Sequence, residues 1–203
     1  MKKKLDYEDL RKMKYLSSPS IDANASAAAY VVAEAEESGE FKKHIYGIAT
    51  ALEEGKRKNT ARLLTNEEAD LPTFSPDGEK LAYLRLGESE FQIWIYDRNT
   101  KQHQKLTQMR HGVEQFSWSP DGKKVAFTAP CYREEKEVWM KEMTVSEKKQ
   151  WEEEKAHAPV VIENLIYKLD DTYGVRENSI RQIGVADVDT GGCEILTDGS
   201  MDS

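Results

Sequence analysis

The sequence predicts an all-β fold, an incomplete β-propeller of about three four-stranded antiparallel blades with a helical insertion in the third. Three observations predict it. Ser75-Pro76-Asp77-Gly78 and Ser119-Pro120-Asp121-Gly122 are one turn sequence repeated 44 positions apart, each preceded by an aromatic residue and followed by an apolar run. A Leu-Thr dipeptide recurs at Leu64-Thr65, Leu106-Thr107 and Leu196-Thr197, the first two 42 positions apart. The intervening segments are rich in β-branched and aromatic residues, which favour strands. A strand-built period of this length belongs to propeller blades, and the Pro-Asp units are WD40-like.

The turn chemistry fixes each reversal. Proline sets φ at the first central position, aspartate bonds back to the backbone, and glycine accepts positive φ. Two units are expected: a helical lead-in over residues 1–14 and a partial propeller over 15–203, with blades at about 15–65, 66–107 and 108–197. A short helix is expected near residues 7–14. The first blade is degenerate. Its opening strand is residues 16–21, and Asp22-Ala23-Asn24-Ala25-Ser26 replaces the Pro-Asp-Gly turn, with Asn24 able to take left-handed geometry. Residues 28–32, 44–49 and 62–65 supply its other strands. In the second blade, residues 71–74, 80–84, 91–97 and 104–107 read as four strands. Residues 80–84 and 124–127 are apolar on both faces, as strands covered on two sides should be.

The third blade is longer. Two blades of about 45 residues would fit before its closing Leu-Thr. The absence of a further Pro-Asp-Gly turn favours one blade with an insertion at about 130–178, whose third and fourth strands are 179–189 and 194–197. Thr144 and Glu147 have capping-box spacing, which predicts a helix over 144–156 with Trp151 as its main apolar residue. Residues 159–162 then return to extended structure.

Composition excludes several classes. With 37 acidic and 29 basic residues the net charge is −8, which argues against a general nucleic-acid binder. Four Trp, nine Tyr and five Phe are too many for a disordered chain. No apolar run reaches the ~20 residues of a membrane helix. The N-terminal lysines are followed by no apolar stretch, so a secretory signal is not expected, and a cytoplasmic location is. Cys131 and Cys193, the only cysteines, read as two incidental thiols.

The Ser-Pro-Asp-Gly repeats, the Leu-Thr blade ends, residues 160–171 and the segment 185–191 together resemble the N-terminal propeller of the prolyl oligopeptidase family of serine peptidases, in its acylaminoacyl-peptidase and dipeptidyl-aminopeptidase branch. The resemblance implies a propeller that covers an α/β-hydrolase domain and filters peptides by size. These 203 residues depart from that pattern: about three blades and then the start of another repeat are expected within them, and no hydrolase domain is. In dipeptidyl-peptidase relatives, paired glutamates on a propeller insertion hold the substrate's free amino terminus. The resemblance would give that part to Glu152 and Glu153; the competing reading is a solvated helix face.

Chemistry is otherwise sparse. A hydrolase nucleophile elbow needs Gly-x-Ser-x-Gly, and the nearest approach, around Ser89, lacks the second glycine. His44, His103, His111 and His157 have no partners at metal-ligand spacing, so neither a metal nor another cofactor is expected. Asp187 and Asp189 read as a hairpin turn and not a calcium loop. The catalytic set is therefore expected to be empty and the chain inactive alone. Two functions remain: the non-catalytic propeller portion of a peptidase, meeting peptides only in a complete enzyme, or a stand-alone interaction module that binds a partner or a second copy.

Overall fold

The computed structural model describes residues 12–36, 39–50, 61–157 and 179–197, together with Asp6 and Asp9. Twelve strands form three separate four-stranded antiparallel sheets, each a meander of strands consecutive in the chain. Blade 1 contains β1 (Lys14–Ile21), β2 (Ala27–Ala35), β3 (Phe41–Ala49) and β4 (Arg62–Leu63). Blade 2 contains β5 (Ala69–Phe74), β6 (Lys80–Leu86), β7 (Phe91–Asp97) and β8 (His103–Lys105). Blade 3 contains β9 (Gln115–Trp118), β10 (Lys124–Cys131), β11 (Ile180–Asp187) and β12 (Cys193–Ile195). β10 pairs directly with β11 from Lys124↔Asp187 to Cys131↔Ile180, so the third unit is one blade interrupted by an insertion.

The core lies between blades. Period-two alternation splits each middle strand into two faces. In blade 2, Leu81, Tyr83 and Tyr96 pack against Ala29, Val31 and Ile45 of blade 1. The alternate residues Ala82, Leu84, Ile93 and Ile95 pack against Val125, Phe127 and Ala186 of blade 3. This is why β6 is apolar on both faces: it has a neighbour on each side.

β10 departs from that expectation. Val125, Phe127, Ala129 and Cys131 are buried, while the alternate positions Lys124, Ala126, Thr128 and Pro130 are partly or fully exposed. Among the described residues a blade covers blade 3 on one side only, and the alternation of a half-covered sheet reappears. Two further differences concern blade 1. Lys14 does not end a helix but opens β1, held across the ladder by Glu34 at 2.7 Å. In the degenerate turn the left-handed residue is Ala25, at φ 51°, and not Asn24. The Asp22 side chain dictates this geometry, because its carboxylate accepts from both Ser26 N–H and Ala27 N–H and draws the chain around itself.

The insertion helix, α1 (Val145–His157), has the expected capping box: Thr144 N–H donates to Glu147 Oε2 at 2.8 Å, and Glu147 N–H donates to Thr144 Oγ1 at 3.3 Å. None of its residues is fully buried. A 3-10 helix (Arg133–Val138) joins β10 to it. Most of residues 7–11, together with 159–162 and 160–171, lie outside the described residues. No helix among the described residues is long and apolar enough to cross a membrane.

Candidate functional site

The repeated motifs act as joints. In blade 2, Ser75 Oγ donates to Asp77 Oδ1 at 2.6 Å and accepts from Lys80 N–H at 2.9 Å, while Glu79 N–H donates to Asp77 at 3.0 Å. Gly78 supplies positive φ at 76°. Blade 3 reproduces the arrangement with Ser119, Asp121 and Lys124, and Gly122 sits at φ 69°. The serine hydroxyls hold Asp77 and Asp121 below the usual carboxylate range, so both turns keep a fixed charge at neutral pH. Pro76 and Pro120 stand at the position where a fixed φ is wanted and no N–H is needed.

The Leu-Thr dipeptide closes each blade by one shared set of bonds. Leu64, Leu106 and Leu196 donate their N–H groups to the carbonyls of Ile45, Ile93 and Ile183, each at 2.8 Å. The threonine that follows then extends the ladder with its side chain. The N–H groups of Ile45, Ile93 and Ile183 donate to Thr65, Thr107 and Thr197 Oγ1 at 3.1, 2.9 and 2.9 Å. In blades 2 and 3 the hydroxyl in turn donates a hydrogen bond to Oε1 of a buried glutamine, Gln92 at 3.0 Å and Gln182 at 2.5 Å. His44 occupies the glutamine position in blade 1, and its Nδ1 is buried with no hydrogen-bond partner. Sequence reasoning found the Leu-Thr period but missed the glutamines, although Gln-Ile recurs at Gln92-Ile93 and Gln182-Ile183.

Blades 1 and 2 are stapled by Arg98. Its guanidinium donates to the Asp22 carboxylate at 2.8 Å and to Gly78 O at 2.6 Å. Burial opposes ionisation of Asp22, yet hydrogen bonds from Ser26, Arg98 and Ala27 outweigh it and hold the carboxyl at about 2. Beside this staple lies a cavity of about 380 Å³ lined by Arg62, Leu64, Phe74, Leu81, Tyr96 and Arg98 among others. Arg62 donates to the Tyr96 hydroxyl at 3.0 Å. The hydroxyls on its lining are those of Ser26, which donates to Asp22 Oδ2 at 2.6 Å, and Tyr96, which accepts from Arg62, so both are engaged in the contacts between the blades.

The other residues singled out from sequence serve the insertion. Ser89 is buried and donates to Met143 O at 2.8 Å, pinning the segment before α1 to blade 2. Glu135 is shared by Arg110 at 2.9 Å and by His111. Burial works against its charge, and those two partners override it and lower its pKa. His111 packs on Tyr132 and Trp151, and Lys155 lies 4.7 and 4.5 Å over those same rings, a cation–π closure of the helix onto the body. Glu152 and Glu153 sit on the exposed side of α1, in loose pairs with Lys148 at 4.0 Å and Lys149 at 3.9 Å.

Four further residues have local partners. His103 Nδ1 meets the Tyr83 hydroxyl at 2.6 Å, and burial lowers the histidine while raising the tyrosine to about 12. His157 Nδ1 lies 2.7 Å from Glu153 O. Asp187 caps the β11–β12 turn through Thr190 and Asp189, and Asp189 pairs with Lys80 at 3.3 Å. Cys131 and Cys193 are free thiols, raised by burial to about 12 and about 11, which leaves little nucleophilic thiolate. Among the described residues no group of three or more His, Cys, Asp or Glu could hold a metal ion.

No family model matches the chain. The uncharacterized peptidase YuxL of Bacillus subtilis (strain 168) is 24% identical over 210 residues, covering 100% of this chain and 29% of its own length. A TolB homolog of Protochlamydia amoebophila (strain UWE25) is 45% identical over 67 residues, 32% of this chain and 14% of that protein. Pyrococcus horikoshii acylaminoacyl peptidase superposes with a TM-score of 0.62 at 19% identity, over 93% of this chain and 25% of that one. The chain has the propeller fold of the acylaminoacyl peptidases. The AtxE2 isopeptidase shares it, with a TM-score of 0.59 at 16% identity over 94% of this chain and 31% of that one. The resemblance read from the Ser-Pro-Asp-Gly repeats therefore holds at the level of fold. The chain spans less than a third of the length of each of these proteins.

Proposed function

We propose that the chain is the non-catalytic propeller portion of a peptidase of the prolyl oligopeptidase family, and that its role in the complete enzyme is to admit peptides to a hydrolase domain by size. The observation that carries this reading is the peptidase match that runs the whole length of the chain, on a framework of three consecutive blades.

A fluorophosphonate probe, which labels activated serines, tests the reading. The 203-residue chain should remain unlabelled, and the product of the longer reading frame that contains it should be labelled and should hydrolyse acylaminoacyl substrates. Serine-dependent labelling of the short chain, or an unlabelled long product, would refute it.

A further inference from the structure

The seam between blades 1 and 2 departs from the repeat at one cross-strand pair. The Leu-Thr closure aligns the blades and puts Ile45, Ile93 and Ile183 at one position. Two residues further on, blade 2 has Ile95 opposite Gln104, and Ile95 is 5% exposed because it fills the seam with blade 3. At the same register blade 1 has Gly47 opposite Arg62. The side chain that would fill the seam is missing, and a cation stands across the strand pair from the gap.

The cavity of about 380 Å³ lies at this gap. Leu64 leans into part of it, its Cδ1 2.9 Å from where a Cβ on Gly47 would stand, and Phe74 and Leu81 line it from blade 2. Two donors stand together on the lining. Arg62, which is exposed, donates to the Tyr96 hydroxyl at 3.0 Å. Among the described residues no acceptor takes the proton of that hydroxyl, and no carboxylate pairs with Arg62. Arg98, the other cation of the lining, is already matched by the buried Asp22. The cavity therefore carries one unbalanced positive charge beside a free hydroxyl donor, among mostly apolar side chains. A concave apolar space with a few convergent polar groups is the usual form of a small-ligand site.

We propose that this cavity binds a carboxylate with a short apolar body. The carboxylate accepts from Arg62 and from the Tyr96 hydroxyl, and the hydrocarbon lies against Leu64, Phe74 and Leu81. A guanidinium and a carboxylate form strong charge-assisted hydrogen bonds, and one unbalanced charge calls for a single anionic group. The apolar walls leave no partner for a second one. A free acid and the C-terminal residue of a peptide share this chemistry. The site goes beyond the peptidase reading and does not rest on it.

Titration of the 203-residue chain with phenylpropionate, followed through amide shifts by NMR, tests the site, with phenylpropanol as the uncharged control. The acid should bind saturably and move the amides of Ala27, Gly47, Ala49 and Leu64. The alcohol should bind about tenfold more weakly, or worse. Arg62→Gln should cost the acid about tenfold and leave the alcohol unchanged, and its fold should persist because the side chain is exposed. Tyr96→Phe keeps the ring and should weaken the acid about threefold or more. Ala27→Leu fills the cavity and should abolish binding of both; if it does not fold, Arg62→Gln decides. Acetylphenylalanine separates the two sources. Tighter binding than phenylpropionate assigns the site to a peptide's C-terminus, weaker binding assigns it to a free acid, and either upholds it. Absence of saturation, shifts confined to residues away from the cavity, equal affinity for acid and alcohol, or unchanged binding in Arg62→Gln each overturns the proposal. None of these results bears on whether the longer product is labelled by the serine probe, so the two readings fail separately.

Discussion

Arg98 Nη1 lies 2.8 Å from Asp22 Oδ2, a contact between residues 76 positions apart that ties the turn of one blade to the turn of the next. Asp22 is almost fully buried, and Arg98 also reaches Gly78 O, so one guanidinium satisfies acceptors on both blades. The degenerate turn of blade 1 survives without proline and glycine because its aspartate is organised by Ser26, Ala27 and Arg98 together.

Replacing Asp22 by Asn keeps the shape and removes the charge. A carboxyl held at about 2 instead of 3.8 corresponds to roughly 2 kcal/mol of stability at neutral pH. Urea unfolding of Asp22→Asn at fixed chain concentration should show a loss of that size. The pH dependence has a defined sign. The folded value is depressed, so the contribution is complete above pH 4 and disappears as pH falls from about 4 to about 2. The wild type should lose this increment over that interval, and Asp22→Asn should lose none of it there.

The Leu-Thr closure predicts a loss in each blade through a different buried group. Thr107→Val keeps the side-chain volume but strands Ile93 N–H in a buried place, while Gln92 Oε1 keeps its bond from Met109 N–H, at a cost of about 1–3 kcal/mol. Thr197→Val frees Ile183 N–H on the exposed side of blade 3, where water replaces the lost bond, but takes the hydroxyl donor from Gln182 Oε1, whose residue is 1% exposed, at a cost of about 1–3 kcal/mol as well. Urea unfolding of both variants checks this, and a Thr197→Val loss well below that of Thr107→Val would mean that water reaches Gln182 once the hydroxyl is gone.

The blades were legible because their determinants are local and periodic. Ser-Pro-Asp-Gly encodes its own turn, the capping box at Thr144 and Glu147 encodes a helix start, and Leu-Thr marks blade ends. The double-sided burial of β6 was legible for the same reason. Less visible were features set by neighbours. Residues 124–127 read like 80–84, yet β10 alternates, because burial of its second face depends on a following blade. Arg98–Asp22 and the His111–Tyr132–Trp151 cluster join positions with no common period, so side-chain type alone could not pair them. Ala25 took the left-handed position from Asn24 because hydrogen bonds to Asp22 outweighed residue preference.

Gly184 is a steric requirement. A Cβ there would lie 2.7 Å from Phe127 Cε2 and 2.9 Å from Cε1, on a ring that is itself buried between blades. Gly184→Ala should destabilise by about 1–3 kcal/mol through overpacking. Phe127→Leu alone removes ring contacts and is destabilising too, but it clears the space. The double variant should therefore be more stable than the sum of the two losses predicts, and denaturant unfolding of the four chains reads the coupling. Simple additivity would show that the ring already has room to move.

Glu152 and Glu153 give the test that bears most on substrate recognition. Their pairs with Lys148 and Lys149 are long and exposed, and exposed pairs of this kind contribute little, so neither carboxylate is committed to holding the helix. If they anchor a peptide's amino terminus in the complete enzyme, Glu152→Gln with Glu153→Gln should lower kcat/KM for free N-terminal peptides at least tenfold. The same peptides acylated at the N-terminus should be unaffected, because an acyl group carries no ammonium to pair. α1 itself should persist in the variant, since its capping box and the Lys155 closure are untouched. Unchanged kcat/KM for both free and acylated peptides would assign both glutamates to the solvated face alone.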